Sequence, residues 1–471
     1  MPAHPLDGTT ICALSTPPGR GGVAVVRISG PQAWPVVDAL CRGKLEGCQP
    51  GRAALRILHD GEKPLDEALL LPFRGPKSFT GEDIVECHIH GSPFIAQRLM
   101  ECLVDAGCRP ALPGEFTQRA FLHGKRDLAQ AEAIGDLIDA EHAGAHQLAI
   151  QQLGGGFSDE INAFRQALIE YAALMELELD FGEEDVEFVD RDGYRKHVTS
   201  LLDRIAQLLS GFSTGRAIAE GVPVAILGAP NRGKSTLLNA LLREDRAIVS
   251  DTPGTTRDTL EEVLTLEGIR FRFIDTAGLR DTTDDIEAEG IRRAWAKAAS
   301  ARFVLYLVDA RDLVDAEGRE ATTREIQDAA ARLSEAAIGL GEPVGVILVL
   351  VNKTDLAPAP SNWHPEGAEE VLAISAEERI GLDDLEKRLG RDYRSALAED
   401  RILVTNLRHR EALQRTRDAL QKALEGLDAG LSGDLLAVDH KEALEQLGRI
   451  TGAVTPDDLL DHIFGNFCIG K

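Results

Sequence analysis

The sequence predicts a multidomain chain of α/β and α character. It comprises an α+β N-terminal domain, a discontinuous α-helical domain, and an inserted α/β domain with a parallel-rich sheet and helices on both faces. Three observations carry this. The 471 residues suggest about three domains by length. Between about 220 and 390, apolar runs of strand length alternate with helical stretches, the pattern of a parallel sheet. Helical periodicity flanks that block on both sides, so one helical domain split in sequence is the economical arrangement; two unrelated helical domains are the alternative. The expected boundaries are 1–120, 121–216, 217–392 and 393–471.

Taken in order, "VAVVRISG" reads as a strand closed by a glycine turn, and "ALLLPF" and "DIVECHIH" as further strands. "PFIAQRLMECLVDAG" reads as a helix ending at Gly107. "CHIH" resembles a metal cluster only in one dimension: in a strand Glu86, His88 and His90 share one face, and Cys87 and Ile89 the other. Ile161, Phe164, Leu168, Tyr171 and Met175 step by three and four, one face of a core-packed helix. "PVAILG", "RFRFIDTAG", "FVLYLVDA", "VGVILVLVNK" and "VLAIS" are apolar runs of buried strands. "TLEEVLTLEGIRFRFI" turns at Glu267 and Gly268 as a hairpin. Leu413, Leu420, Leu424 and Leu427 mark a later helix face.

The chain has 51 basic and 77 acidic residues and a net charge of -26. That excludes an undirected nucleic-acid binder acting through bulk positive charge; RNA contact needs a local basic patch or a basic partner. Seven scattered cysteines without a CxxC pair fit a reducing compartment. "MPAHPLDGTT" lacks the features of a signal peptide. The longest apolar run, "VGVILVLV", falls well short of the ~20 residues of a membrane helix. The expectation is a soluble, cytoplasmic protein.

"GAPNRGKS", Gly228 to Ser235, follows an apolar strand and precedes a helix carrying Leu237, Leu238 and Leu241. That is the context of a phosphate-binding loop. Backbone N–H groups cradle phosphate oxygens, Lys234 brings charge to the β/γ-phosphates and Ser235 offers a hydroxyl to Mg²⁺. "DTAG", Asp275 to Gly278, closes a strand: Asp275 can reach Mg²⁺ through water, and the Gly278 N–H can meet a γ-phosphate. "NKTD", Asn352 to Asp355, closes another. The Asp355 carboxylate can accept from N1–H and the exocyclic amine of guanine, donors that adenine lacks. Asn352 bonds either the base or the loop. "SAEE" at Ser375 stands where a third base-contacting loop belongs, without the common lysine or arginine as third residue. These motifs, in this order and at strand ends, predict a Ras-like P-loop G domain that binds and hydrolyses GTP.

Leu279 follows "DTAG" where a water-orienting glutamine often stands, so another group must place the attacking water. Glu287 in "DDIEAEG" is the candidate. No arginine stands out as an in-line finger, though Arg257 in "GTTRD" remains open. The side-chain oxygen of Asn231 could hold a monovalent cation, K⁺, to do that electrostatic work.

The chain resembles the MnmE (TrmE) family of tRNA-modification GTPases along its whole length. The match rests on "TPPGRGGVAVVRISG", "SFTGEDIVECHIHG", "PGEFTQRAFLHGKRDLAQAEAI", "GAPNRGKSTLLNAL", "GTTRD", "DTAGLR", "NKTD" and the terminal "FCIGK". The resemblance implies a folate-binding-like N-terminal domain that forms a homodimer. It implies a flavin partner, MnmG (GidA), in a heterotetramer. The pair places an aminomethyl or carboxymethylaminomethyl group on C5 of the tRNA wobble uridine, with 5-formyltetrahydrofolate or methylene-tetrahydrofolate as one-carbon donor. It implies that the two G domains pair when GTP and K⁺ are present.

By the same resemblance, K⁺ is held by Asn231, Ser250, Thr252 and Thr255, and Mg²⁺ by Ser235 and Thr256. GTP is bound by Asn231, Arg232, Gly233, Lys234, Ser235 and Thr236, by Ser250, Asp251, Thr252, Pro253, Gly254, Thr255 and Thr256, and by Asp275, Thr276, Ala277 and Gly278. Asn352, Lys353, Thr354 and Asp355, with Ser375, Ala376 and Glu377, complete that set. Glu287 matches the family's water-positioning glutamate and, with Lys234 and Cys468, makes up the expected catalytic group. Folate falls to Arg27, Glu86, Lys125 and Lys471.

A ribosome-assembly switch with rRNA-docking helical flanks is the competing reading; the acidic balance and the N-terminal domain favour the modification enzyme. Cys468, fourth from the end of "GNFCIGK", has the spacing of a prenylation signal, but Gly470, Lys471 and the acidic segment upstream do not fit one. The expectation is that the tail is delivered to the folate site, where Cys468 acts near the chemistry; a buried structural thiol is the alternative.

Overall fold

The computed structural model of the chain describes residues 8–45, 48–180, 190–242, 261–274, 295–340, 344–399 and 401–470. They form two compact units: Met1–Asp139, Ala149–Ala206 and Arg408–Lys471 in the first, Ala140–Leu148 and Gln207–Leu407 in the second.

The first unit opens with β1 (Ile11–Leu14), β2 (Val23–Ser29), α1 (Ala33–Leu40), β3 (Ala54–Asp60), β4 (Lys63–Phe73), β5 (Ile84–His90), α2 (Pro93–Asp105) and β6 (Arg109–Pro110). The strands build one sheet in the order β3-β4-β5-β2-β1-β6, antiparallel except for the β1/β6 pair. Val85, Cys87 and Ile89 of β5 face the core with Val26, Ile28, Val37, Leu99 and Leu103. Glu86, His88 and His90 take the opposite face, as a period of two requires. Among the described residues no cluster could hold a metal ion.

There follow α3 (Glu115–Leu122), α4 (Leu128–Asp139), α5 (Ala143–Leu153), α6 (Gly156–Asp180) and α7 (Arg191–Ser210), of which the start of α5 and the end of α7 are assigned to the second unit, as is all of α8 (Phe212–Glu220). On α6, Ile161, Phe164, Leu168 and Met175 are buried, and Tyr171 meets Tyr194 of α7 edge-on, centroids 5.1 Å apart. The expected stripe is therefore a packed face.

The second unit holds β7 (Val222–Leu227), α9 (Lys234–Leu242), β8 (Glu261–Leu266), β9 (Ile269–Ile274), β10 (Phe303–Asp309), α10 (Ala316–Leu340), β11 (Val346–Asn352), β12 (Glu370–Ala373) and α11 (Leu382–Ala398). Its sheet runs β12-β11-β10-β7-β9-β8. All pairs are parallel except β8/β9, whose two-residue turn places Glu267 and Gly268 at positive φ, the hairpin chemistry that a twisted ribbon favours. Each face of this sheet is covered. Leu237, Leu241, Leu385 and Leu389 pack on one side, and Ile326, Leu333 and Ala337 on the other. Every residue of β10 is buried, which explains its unbroken apolar run.

The chain ends with α12 (Leu407–Asp428), α13 (Gly433–Thr451) and α14 (Asp457–Gly465), which belong to the first unit from Arg408 onward. On α12, Leu413, Leu420 and Leu427 are buried and Leu424 half-buried. Helix α13 packs along α6 and α14 against α3. His440 of α13 donates from Nε2 to the Leu168 carbonyl, 2.5 Å, and lies 3.2 Å from the Tyr194 hydroxyl through Nδ1. Burial pushes its pKa down, consistent with a neutral ring that donates and accepts once each. No helix among the described residues is long and apolar enough to cross a membrane.

Candidate functional site

The loop from Gly228 to Ser235 joins β7 to α9, where a parallel sheet leaves a crevice at its carboxyl edge. Its shape depends on glycine at one crowded point: Gly233 has φ +97°, and a Cβ there would overlap Nδ2 of Asn352. Asn231, at φ +62°, is a residue type that tolerates the left-handed region at a cost of about 1 kcal/mol. Lys234 opens α9 and donates from Nζ to the carbonyls of Gly228, 2.6 Å, and Ala229, 3.1 Å. Ser235 and Thr236 lie in the same first turn, where backbone N–H groups and the helix field favour an anion.

More than a hundred residues later, the end of β11 returns to this loop. Asn352 is 1 % exposed. Its Nδ2 donates to the Arg232 carbonyl, 2.9 Å, and its Oδ1 accepts from the Ala376 N–H, 2.9 Å. Of the two roles open to it, base or loop, the amide is engaged with loops. Lys353, at φ +64°, donates from Nζ to the Asn231 carbonyl, 2.7 Å, and pairs with Asp309, 2.8 Å. Asp309 is held below the ordinary carboxylate range first by its hydrogen bond to Arg311 and then by Lys353, against the opposing effect of burial. Asp355 is exposed and accepts from the Ser375 hydroxyl, 2.6 Å. Thr354 donates its N–H to the Ile374 carbonyl, 3.2 Å, Ala376 is buried and Glu377 exposed. The phosphate-loop motif, "NKTD" and "SAEE" thus converge. This cradle can bind phosphates beside a carboxylate able to read a base edge.

Ser250, Asp251, Thr252, Pro253, Gly254, Thr255, Thr256, Arg257, Asp275, Thr276, Ala277, Gly278, Leu279, Glu287 and Lys471 lie outside the described residues.

The first unit carries a cavity of about 320 Å³ whose walls include Phe73, Phe79 and Ile84, with Glu86, Lys77 and Lys125 as its charged groups. Arg27 donates from Nε to Oε1 of Glu86, 2.9 Å, and stands over the rings of Phe79 and Phe116 at 5.2 and 5.7 Å. Lys125 donates to the Pro76 carbonyl, 2.8 Å. Arg27 and Glu86 are therefore bonded, and Glu86 and Lys125 line one cavity. Sequence reasoning missed Phe73, Lys77 and Phe79. It also missed a buried polar network in the same unit. Fully buried Arg119 donates to Glu82 and Glu115, Ser29 donates to Glu82, 2.6 Å, and His123 donates to the Thr80 carbonyl, 2.8 Å. A hint was available in "SFTGED" and "GEFTQRAF", where carboxylates and an arginine interrupt segments that otherwise pack.

The tail docks on the N-terminal segment of its own chain. Ser15 donates to the Gly470 carbonyl, 3.1 Å, and the Gly114 N–H to the Cys468 carbonyl, 3.4 Å. Cys468 is exposed, so the alternative of a buried structural thiol does not hold: only its backbone is anchored.

Two family models match the chain: the MnmE helical domain over residues 128–468 and the GTP-binding protein TrmE N-terminus over residues 10–125. Curated relatives named tRNA modification GTPase MnmE align end to end. That of Christiangramia forsetii is 45% identical, covering 98% of this chain and 99% of its own. That of Cytophaga hutchinsonii is 46% identical over 98% of each. A solved GTP-binding protein from Sulfolobus solfataricus in complex with GDP is 17% identical, with TM-score 0.29, over 50% of this chain and 67% of its own; so low a score adds nothing to the sequence match.

Proposed function

The chain belongs to the MnmE (TrmE) family of tRNA modification GTPases, and from that premise we propose that it hydrolyses GTP to GDP and phosphate in modifying C5 of the tRNA wobble uridine. The observation that carries the GTP reading is the meeting of Lys234, Asn352, Lys353 and the Asp355–Ser375 pair at one sheet edge. Lys234 would leave its two carbonyl partners for the β/γ-phosphates, and Asp355 would accept from the guanine edge. Ser235 with Thr256 would hold Mg²⁺, and Asn231 with Ser250, Thr252 and Thr255 would hold K⁺; hydroxyl and amide oxygens are hard donors suited to both. When bound, these cations offset charge that builds on the phosphates. Glu287 would orient the attacking water.

The cavity of the first unit suits a folate by its chemistry. Aromatic and aliphatic walls accept a flat ring, Glu86 accepts from a pterin edge, and cations pair with a carboxylate tail. Arg27, Glu86, Lys125 and Lys471 would bind 5-formyltetrahydrofolate or methylene-tetrahydrofolate. Cys468, whose thiol is exposed, would act near the transfer. The chain would work in the cytoplasm as a homodimer whose G domains pair, within a heterotetramer with the flavin protein MnmG. The direct test is GTP hydrolysis by the purified full chain in matched KCl and NaCl. Faster turnover in K⁺ is expected; equal rates would remove K⁺ from the mechanism, and absence of turnover with GTP would remove the hydrolase.

A further inference from the structure

Arg232 stands inside the phosphate loop, yet its guanidinium turns to the body of the second unit. The side chain is 9% exposed; Nη1 lies 2.9 Å from Oε2 of Glu325 on α10, and Nη2 lies 3.4 Å from Oδ2 of Asp312. Asp312 belongs to the short 3-10 turn Ala310–Leu313 that follows β10. The guanidinium also offsets part of the rise that burial causes in the pKa of the nearby Tyr306 phenol of β10. The contact with Glu325 is ionic in character, because no Nη1 hydrogen is aligned for a hydrogen bond. An apolar side chain could fill such a place without partners, whereas a buried arginine is stable only when paired. Both carboxylates are nearly half exposed, so neither needs Arg232 to be tolerated where it is.

The neighbours of Arg232 show what the pairing holds. Lys353 and Asn352 bond the carbonyls of Asn231 and Arg232, which fixes the main chain from β11. Arg232 supplies the restraint from α10 and the turn after β10. Between these restraints Asn231 keeps a left-handed backbone, a conformation that persists where its surroundings over-determine it.

We propose that Arg232 is a positioning residue: its anchorage to Asp312 and Glu325 fixes the turn from which the Asn231 amide engages the monovalent cation. The proposal rests on the K⁺ reading given above.

The experiment measures GTP turnover by the full chain against K⁺ concentration at constant ionic strength, together with GDP affinity. Glu325→Gln is the primary variant, since it removes one charge at an exposed position and leaves the loop sequence intact. It is expected to raise the half-saturating K⁺ concentration by about three- to tenfold, with GDP affinity and the rate at saturating K⁺ within about twofold. Arg232→Lys, which offers a point charge instead of a fork, should fall between the unmodified chain and Arg232→Ala. An unchanged K⁺ curve in Glu325→Gln overturns the proposal while leaving the K⁺ reading intact. So does a parallel loss of GDP affinity, which would mean general damage to the loop. Equal turnover in K⁺ and Na⁺ by the unmodified chain overturns both.

Discussion

Asn352 and Lys353 hold the Gly228–Ser235 loop by its carbonyls, so the "NKTD" segment and that loop are one structure. Losses there should separate by role. Lys234→Ala should lower both GTP affinity and turnover, the latter by about a hundredfold or more; normal affinity and turnover would contradict its assignment. Asn231→Ala should lower K⁺-stimulated turnover by roughly tenfold or more while GDP affinity stays within about threefold. Asp355→Asn should reduce GTP affinity by about 10- to 100-fold, since hydrogen bonds to a charged acceptor are lost; retained guanine preference in that variant would mean the base is read elsewhere. Residue types and order pointed to Lys234 and Asp355 as candidates, because the chemistry proposed for them is tied to a local motif. They did not reveal the pairing of Arg232 with Asp312 and Glu325, carboxylates that lie far along the chain on other elements. Nor did they settle whether Asn352 faces the base or the loop.

Among the elements, the helices of the first unit are tied by a buried ionic cluster. Glu132 of α4 accepts from Arg408 through both oxygens, 2.9 and 2.6 Å, and from His409 Nε2, 2.9 Å. Arg408 also bonds the carbonyls of Arg449 and Ile450 at the end of α13. Burial alone would raise the Glu132 pKa, but the charge and hydrogen bond of His409, and then those of Arg408, outweigh burial and bring it to about 2 from 4.5. Burial pushes the His409 pKa down, against the opposing pull of the Glu132 carboxylate. The folded-state pKa of Glu132 is depressed, so its stabilisation is present above the unfolded value near 4.5 and is lost as pH falls towards 2; at neutral pH it is worth about 3 kcal/mol. Glu132→Ala should cost about 3 kcal/mol of stability at pH 7 by leaving half-buried Arg408 without its carboxylate. Denaturant unfolding of both proteins at pH 7 and pH 3 checks this: the difference should shrink at the lower pH, and a constant difference would place the stabilisation in packing instead. The apolar stripes of α6 and α12 were legible from their period. This cluster was not, because Glu132 and Arg408 read in sequence as ordinary surface charges and only tertiary pairing buries them.

At the scale of the molecule, a chain of net charge -26 has to meet a polyanionic substrate through local basic groups or a basic partner. The alternation of strands and helices gave away the second unit, including its β8/β9 hairpin. The N-terminal cavity was harder to see, since its lining comes from β4, β5 and the loop between them together with Lys125 from the turn after α3, and the exposed thiol of Cys468 depends on where the tail docks. In the function proposed above, GTP turnover serves modification of the tRNA wobble uridine. The measurement closest to that claim is the nucleoside mass profile of tRNA from a strain lacking this protein, complemented with the unmodified chain or with Lys234→Ala. The modified wobble uridine should disappear on deletion, return with the unmodified chain and stay absent with Lys234→Ala. An unaltered wobble uridine in the deletion strain would contradict the account.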